Sequence, residues 1–275
     1  MRNWIGYALQ KARLVRDRIS DLNRYRTYLY NHRQPLFINI GAGAFYHPLW
    51  TNVDYSSDWY AGHQKANFIN YNIMDLQPLP FADDSIDLAY TSHTIEHVTT
   101  DAARHLFREI CRILVPGGIF RITCPDADIL CNAMESGRIE YWNWRAPWFR
   151  AKGVSAKSLT SGDYIVREIA TSRSPFVSAD AEKVTAAEAE REFATRERTD
   201  FLDWLVSSCH FQSDQPGLHM NWWTFEKCKK NLEEAGFNRI YRSTHGASLA
   251  APLQNKLYFD NTRPEMSLYI DAVKK

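Results

Sequence analysis

The chain has 275 residues, 45% hydrophobic and 24% charged, the make-up of a soluble globular protein with one sizeable core and an appended element. A formal charge of +1 argues against a nucleic-acid partner, and five cysteines, odd in number and without a C-x-x-C pair, indicate neither a disulfide framework nor a zinc site. No apolar run is long enough to cross a bilayer and the first residues lack the apolar core of a signal peptide, so the expected location is cytoplasmic.

Residues 1–34 form a basic segment of their own, with Arg2, Lys11, Arg13, Arg16, Arg18, Arg24, Arg26 and Arg33 against Asp17 and Asp21. Ile5, Leu9, Ala12, Val15, Ile19 and Leu22 recur at three- and four-residue spacing, which puts them on one face of a helix. That face would cover the following domain or a second copy in a homodimer. Alternatively, with Trp4, Tyr7, Tyr25, Tyr28 and Tyr30 at the interface, it would rest peripherally on anionic lipid at the inner membrane face.

Leu36 to Ile40 is an apolar run with β-branched residues that ends in Gly41-Ala42-Gly43, a buried strand delivering a tight turn. Glycine has no Cβ and admits positive φ, so backbone N–H groups there can approach a nucleotide-like ligand. Only Ala44 to Leu49 separates this turn from a second strand, Trp50-Thr51-Asn52-Val53-Asp54, so any first helix is reduced to a turn or missing. Tyr46 stands where G-x-G-x-x-G has its third glycine, against a dinucleotide-binding reading. Residues 67–71 make a third strand, followed by Ile73-Met74-Asp75-Leu76, Leu79-Pro80-Phe81 and a polar turn at Asp83-Asp84-Ser85. A fourth strand runs from Ile86 to Tyr90, then Ser92-His93-Thr94-Ile95-Glu96-His97. A helix from Thr100, its N-cap, to Leu114 buries Ala103, Leu106, Phe107, Ile110 and Leu114; Pro116-Gly117-Gly118 stops it before a fifth strand, Ile119 to Thr123.

This series, from the glycine turn through the two acids and Leu-Pro-Phe to Pro-Gly-Gly, resembles the class I S-adenosylmethionine-dependent methyltransferases over residues 36–126, and most closely those that modify polysaccharides and small molecules. The resemblance implies an α/β, Rossmann-like doubly wound sheet, mostly parallel with an antiparallel last strand, Ser267 to Val273. It implies S-adenosylmethionine as cofactor, its amino-acid end over Gly41, Ala42 and Gly43, its ribose at Asp54, its adenine at Met74, Asp75 and Leu76, and Ser92 in the same set. In this reading residues 35–275 form the methyltransferase domain, interrupted by an insertion or cap at 127–220.

Within the insertion, the stretch Tyr141 to Arg150 packs Tyr141, Trp142, Trp144, Trp148 and Phe149 beside arginines. These rings either stack on a sugar or form the insertion's own small core. A single charged helix is expected over 179–207, packed through Phe193, Phe201, Leu202 and Leu205. After it, a helix from Trp222 to Ala235, ended by Gly236, leads into a strand at 237–241.

Methyl transfer needs chiefly an acceptor held in line, so few catalytic side chains are required. For a hydroxyl acceptor, a histidine near neutrality serves as general base, and His93, Glu96 and His97 share a face of the turn after the fourth strand. Glu96-His97 also resembles the metal-binding Glu-His pair of the ubiquinone-type O-methyltransferases, which makes His93, Glu96 and His97 a candidate divalent site. His219 reaches the acceptor from the cap side. The expected activity is O-methylation of a sugar, a glycan precursor in polysaccharide biosynthesis or a small metabolite; the alternative is a non-catalytic scaffold that keeps the nucleotide fold.

Overall fold

In the computed structural model, residues 16–30, 36–61 and 68–275 are described. Seven strands form one sheet in the order β3-β2-β1-β4-β5-β7-β6. β1 (Phe37–Ile40), β2 (Trp50–Asp54), β3 (Phe68–Asn70) and β4 (Ile86–Ser92) pair in parallel, as does β5 (Leu114–Pro125) with β4. β7 (Ser267–Val273) runs antiparallel between β5 and β6 (Arg239–Arg242). β1 and β7 are buried along their whole length, so neither shows the alternation of a half-exposed strand; the buried Asp271 in β7 is paired with Arg121.

The strand order reverses between β1 and β4, and both strands point their carboxyl ends at the same edge. A crevice opens there in open α/β sheets. Between β1 and β2 there is no helix: residues 44–49 are turns and irregular backbone. The helix Thr100–Ile113 is capped by Thr99, not Thr100; the Thr99 hydroxyl accepts the Ala102 N–H at 3.2 Å. With two threonines in succession, the one whose backbone is extended takes the cap.

The insertion has a core of its own. Trp142 and Phe149 are fully buried there, Trp142 stacks on Tyr164 at 5.3 Å, and the Arg145 guanidinium closes on the buried Glu168 carboxylate. The aromatic stretch is therefore core, and the sugar-stacking alternative loses its main support. The single helix expected over 179–207 is two, Ala186–Thr195 and Arg198–Val206, broken by extended backbone at Arg196 and Glu197. On one straight helix Phe193 and Phe201 would stand about 12 Å apart. The break brings their rings to 5.1 Å.

Of the expected N-terminal helix, Ile5, Leu9, Ala12, Val15, Trp4 and Tyr7 lie outside the described residues. Residues 16–24 are helical, but the buried side is not the one expected: Ile19 and Leu22 are exposed, and Asp21 and Tyr25 are buried. Tyr25 accepts a hydrogen bond from the Trp50 indole N–H at 2.7 Å, and Asp21 meets His47 at 2.8 Å, so polar partners on the sheet side decide the orientation. Among the described residues no helix is long and apolar enough to cross a membrane.

Candidate active site

The turn after β1 holds its shape through two left-handed glycines, Gly41 at φ +68° and Gly43 at φ +51°. Gly41 N–H donates to the Val53 carbonyl at 2.9 Å, tying the turn to β2. Gly43 N–H donates to Asp54 Oδ2 and Tyr55 N–H to Asp54 Oδ1, both at 2.8 Å. Asp54 is thus fixed at the end of β2, buried, and each oxygen keeps a lone pair for a further donor. Without a helix, the loop is braced from its other side: His47 is buried, held by Asp21 and lying edge-on to Tyr258 at 4.6 Å between ring centres.

A cavity of about 780 Å³ opens over this turn. Gly41, Ala42, Gly43, Asp54 and Ser92 lie in its wall, as do His93, Thr94 and His97. Met74, Asp75 and Leu76 do not: the wall there is Tyr71, Asn72 and Ile73, while Asp75 is exposed and accepts from the Asn72 amide at 2.8 Å. The far side is ringed by Tyr46, Tyr55, Trp59, Tyr60, Phe211 and Tyr258, joined by Gly217 and Thr262. No arginine or lysine among the described residues enters the wall, and Asp54 is its single carboxylate. Burial, with the charges of Asp54 and Glu96, pushes the Tyr60 phenol up, so it stays protonated and able to donate.

The turn after β4 carries the histidines. His93 has φ +51°; both its nitrogens are occupied, Nε2 by Ser267 Oγ at 2.7 Å and Nδ1 by the approach of Glu96 Oε1 at 3.1 Å. His97 faces the cavity, and its ring lies edge-on to His219 at 4.8 Å. Burial lowers the His97 pKa against the opposing pull of Glu96, which keeps the imidazole neutral. His219 is buried behind the wall; burial, reinforced by His97 and Arg167, sets its pKa well below the ordinary value. The fold therefore brings His93, Glu96, His97 and His219 together, but of these only His93 and His97 touch the cavity.

S-adenosylmethionine fits this wall. A Cβ at Gly43 would meet nothing within 4 Å, so the turn's backbone is open to the cavity, and Asn39 Oδ1, buried in the wall, has no hydrogen-bond partner among the described residues. Asp54 has the acceptor pair that a ribose diol would need. The wall residues missed from sequence are Asn39, Asn72 and the rings from 55–60, 211 and 258. The aromatic Tyr55 to Tyr60 stretch, directly after the β2 acid, was the one available signal.

Residues 40–122 match the sequence family described as "Methyltransferase domain". No curated protein matches the chain. Among solved structures, it resembles an S-adenosylmethionine-dependent methyltransferase from Mesorhizobium loti, with 15% identity, 93% of this chain and 98% of that one covered, and a TM-score of 0.40. A SAM-dependent methyltransferase from Thermotoga maritima shares 14% identity over 98% of this chain and 96% of that one, also at 0.40. The structure of PigF with SAH shares 11% identity over 88% of this chain and 56% of that one, at 0.40.

Proposed function

The chain carries a class I S-adenosylmethionine-dependent methyltransferase domain, and on that premise we propose that it methylates a hydroxyl oxygen of a small, uncharged acceptor, such as a sugar or a glycan precursor without phosphate. The observation that carries this reading is the wall itself: rings on the acceptor side, hydrogen-bond donors such as Tyr60, and no cation among the described residues to pair with a phosphate. A flat face of a sugar or an aromatic metabolite suits Trp59 and Phe211; a nucleotide-linked sugar does not.

Bound S-adenosylmethionine supplies an electrophilic methyl group on a sulfonium. The chain's own residues do the rest. The Gly41 to Gly43 backbone and Asp54 orient one side of the site, and the rings hold the acceptor and exclude water. His97, neutral and in the wall, is the residue that receives the hydroxyl proton. His93, with both nitrogens engaged, positions the turn.

The test is transfer of a labelled methyl group from S-adenosylmethionine to a panel of neutral glycosides and phenols, set beside nucleotide-linked and phosphorylated sugars. Turnover confined to the neutral set is expected. Turnover confined to the phosphorylated set would overturn the acceptor assignment.

A further inference from the structure

Glu96 is fully buried; among the described residues its Oε1 is approached by His93 Nδ1 at 3.1 Å and His97 Nε2 at 3.8 Å, while Oε2 has no hydrogen-bond partner. A buried carboxylate oxygen without a partner is costly, which makes Oε2 an open ligand atom. Around it stand His97 and His219, which offer donor atoms that lie, with a Glu96 oxygen, within 4.8 Å of one another. The three come from two places in the chain: Glu96 and His97 from the turn after β4, His219 from the segment that leaves the insertion. Met220 and Asn221 already bind that turn through their N–H groups, which donate to the Glu96 carbonyl at 2.9 and 3.2 Å.

We propose that Glu96, His97 and His219 bind one divalent transition-metal ion of the zinc class. Two neutral imidazoles and one carboxylate form a donor set that zinc takes readily, whereas magnesium and calcium require more oxygen ligands. His219 is already oriented as a ligand, since its Nδ1–H donates to the Glu168 carbonyl at 2.5 Å, which leaves Nε2 as the bare nitrogen and fixes the ring. Arg167 is a nearby cation that opposes an ion here; its guanidinium lies 3.7 Å from the Glu168 carboxylate, which it shares with Arg145. Ligand bonds of about 2.1 Å in a tetrahedral arrangement set donors about 3.4 Å apart, so the three side chains draw together on loading. The set differs from the one suggested by sequence, since His219 replaces His93, whose nitrogens are directed to Ser267 and Glu96.

The inference goes beyond the proposed reaction and does not depend on it. The two meet at His97: a neutral imidazole has one basic lone pair, so His97 accepts the hydroxyl proton only in the metal-free chain, and the loaded chain is the inactive state.

The test is metal uptake by the full chain, stripped with chelator and then given zinc or cobalt alone. One equivalent retained after desalting, visible ligand-field bands from bound cobalt and a raised Tm are expected. Glu96→Gln and His219→Ala should each weaken binding at least tenfold. Glu96→Gln preserves side-chain volume and carries the test if His219→Ala does not fold. No stoichiometric uptake by the unsubstituted chain would overturn the proposal, as would undiminished uptake by Glu96→Gln or by a folded His219→Ala chain.

Discussion

Gly41→Ala is the sharpest test of how the donor turn is built. At φ +68° a side-chain-bearing residue costs about 1–2 kcal/mol relative to glycine. The added methyl would also stand 2.1 Å from Thr94 Oγ1, 2.4 Å from its Cγ2 and 2.8 Å from its Cβ, so Thr94 must move. Thr94 is buried and its hydroxyl donates to the Ile40 carbonyl, and overpacking of that kind costs about 1–3 kcal/mol more. The sum is about 2–5 kcal/mol, which for a chain of this size lowers Tm by about 5–15 °C. Gly43→Ala is the control. Its φ is also positive, +51°, but nothing lies within 4 Å of the new Cβ, so about 1 kcal/mol is expected. Thermal unfolding of both variants, and of Gly41→Ala combined with Thr94→Ala, measures the difference. The double variant should recover about 1–2 kcal/mol, because the two clashing atoms at 2.1 and 2.4 Å are gone. Equal Tm shifts for Gly41→Ala and Gly43→Ala would refute the argument that Thr94 sets the turn.

Asp54→Asn turns one acceptor of a backbone N–H into a donor; calorimetry with S-adenosylhomocysteine should show affinity reduced about 10- to 100-fold. Asn72→Ala should weaken the same binding about tenfold, and Asp75→Ala less, since Asn72 is in the cavity wall and Asp75 is exposed outside it. His97→Gln should lower kcat by about 10²–10⁴ while donor affinity holds; unchanged turnover would remove His97 as proton acceptor. Glu109→Gln should cost about 1–3 kcal/mol at neutral pH, because Glu109 accepts from Arg112 and from the Leu79 N–H. The Arg112 hydrogen bond lowers the Glu109 pKa below its ordinary 4.5, so its stabilisation is present above that value and is lost as pH falls through the lower, folded pKa. Urea midpoints of parent and variant should therefore converge in acid; a gap that persists there would contradict the assignment.

The central strands were legible because local chemistry decides them. Phe37 to Ile40 is apolar on both faces and stops at a glycine, and β2 ends in the acid whose place the sheet requires. The missing first helix was legible by length alone: six residues between Gly43 and Trp50 cannot hold one and its connections. What local pattern could not show is which distant loops meet. Phe211 and Tyr258 line the cavity because the insertion and the segment before β7 fold back over the sheet edge. The inward side of the N-terminal residues was misread for a similar reason. Ile19 and Leu22 obey helical spacing, yet His47, Asn255 and Trp50 supply partners for Asp21 and Tyr25, and hydrogen bonding to groups far along the chain outweighs the apolar stripe. At Trp142 to Phe149, ring content alone does not separate a binding face from a core.

The absent helix after Gly43 also changes the electrostatics of the loop. A helix beginning there would direct aligned peptide dipoles, equivalent to about half a positive charge, at any carboxylate bound over the turn, commonly worth about 0.3–1 kcal/mol. Here the Gly43 N–H is turned to Asp54 and residues 44–49 are not aligned, so that field is missing. On the proposed placement of S-adenosylmethionine, with its amino-acid end over this turn, recognition of that end falls to individual hydrogen bonds without the helix field. Donor affinity in this protein should accordingly be nearly indifferent to ionic strength.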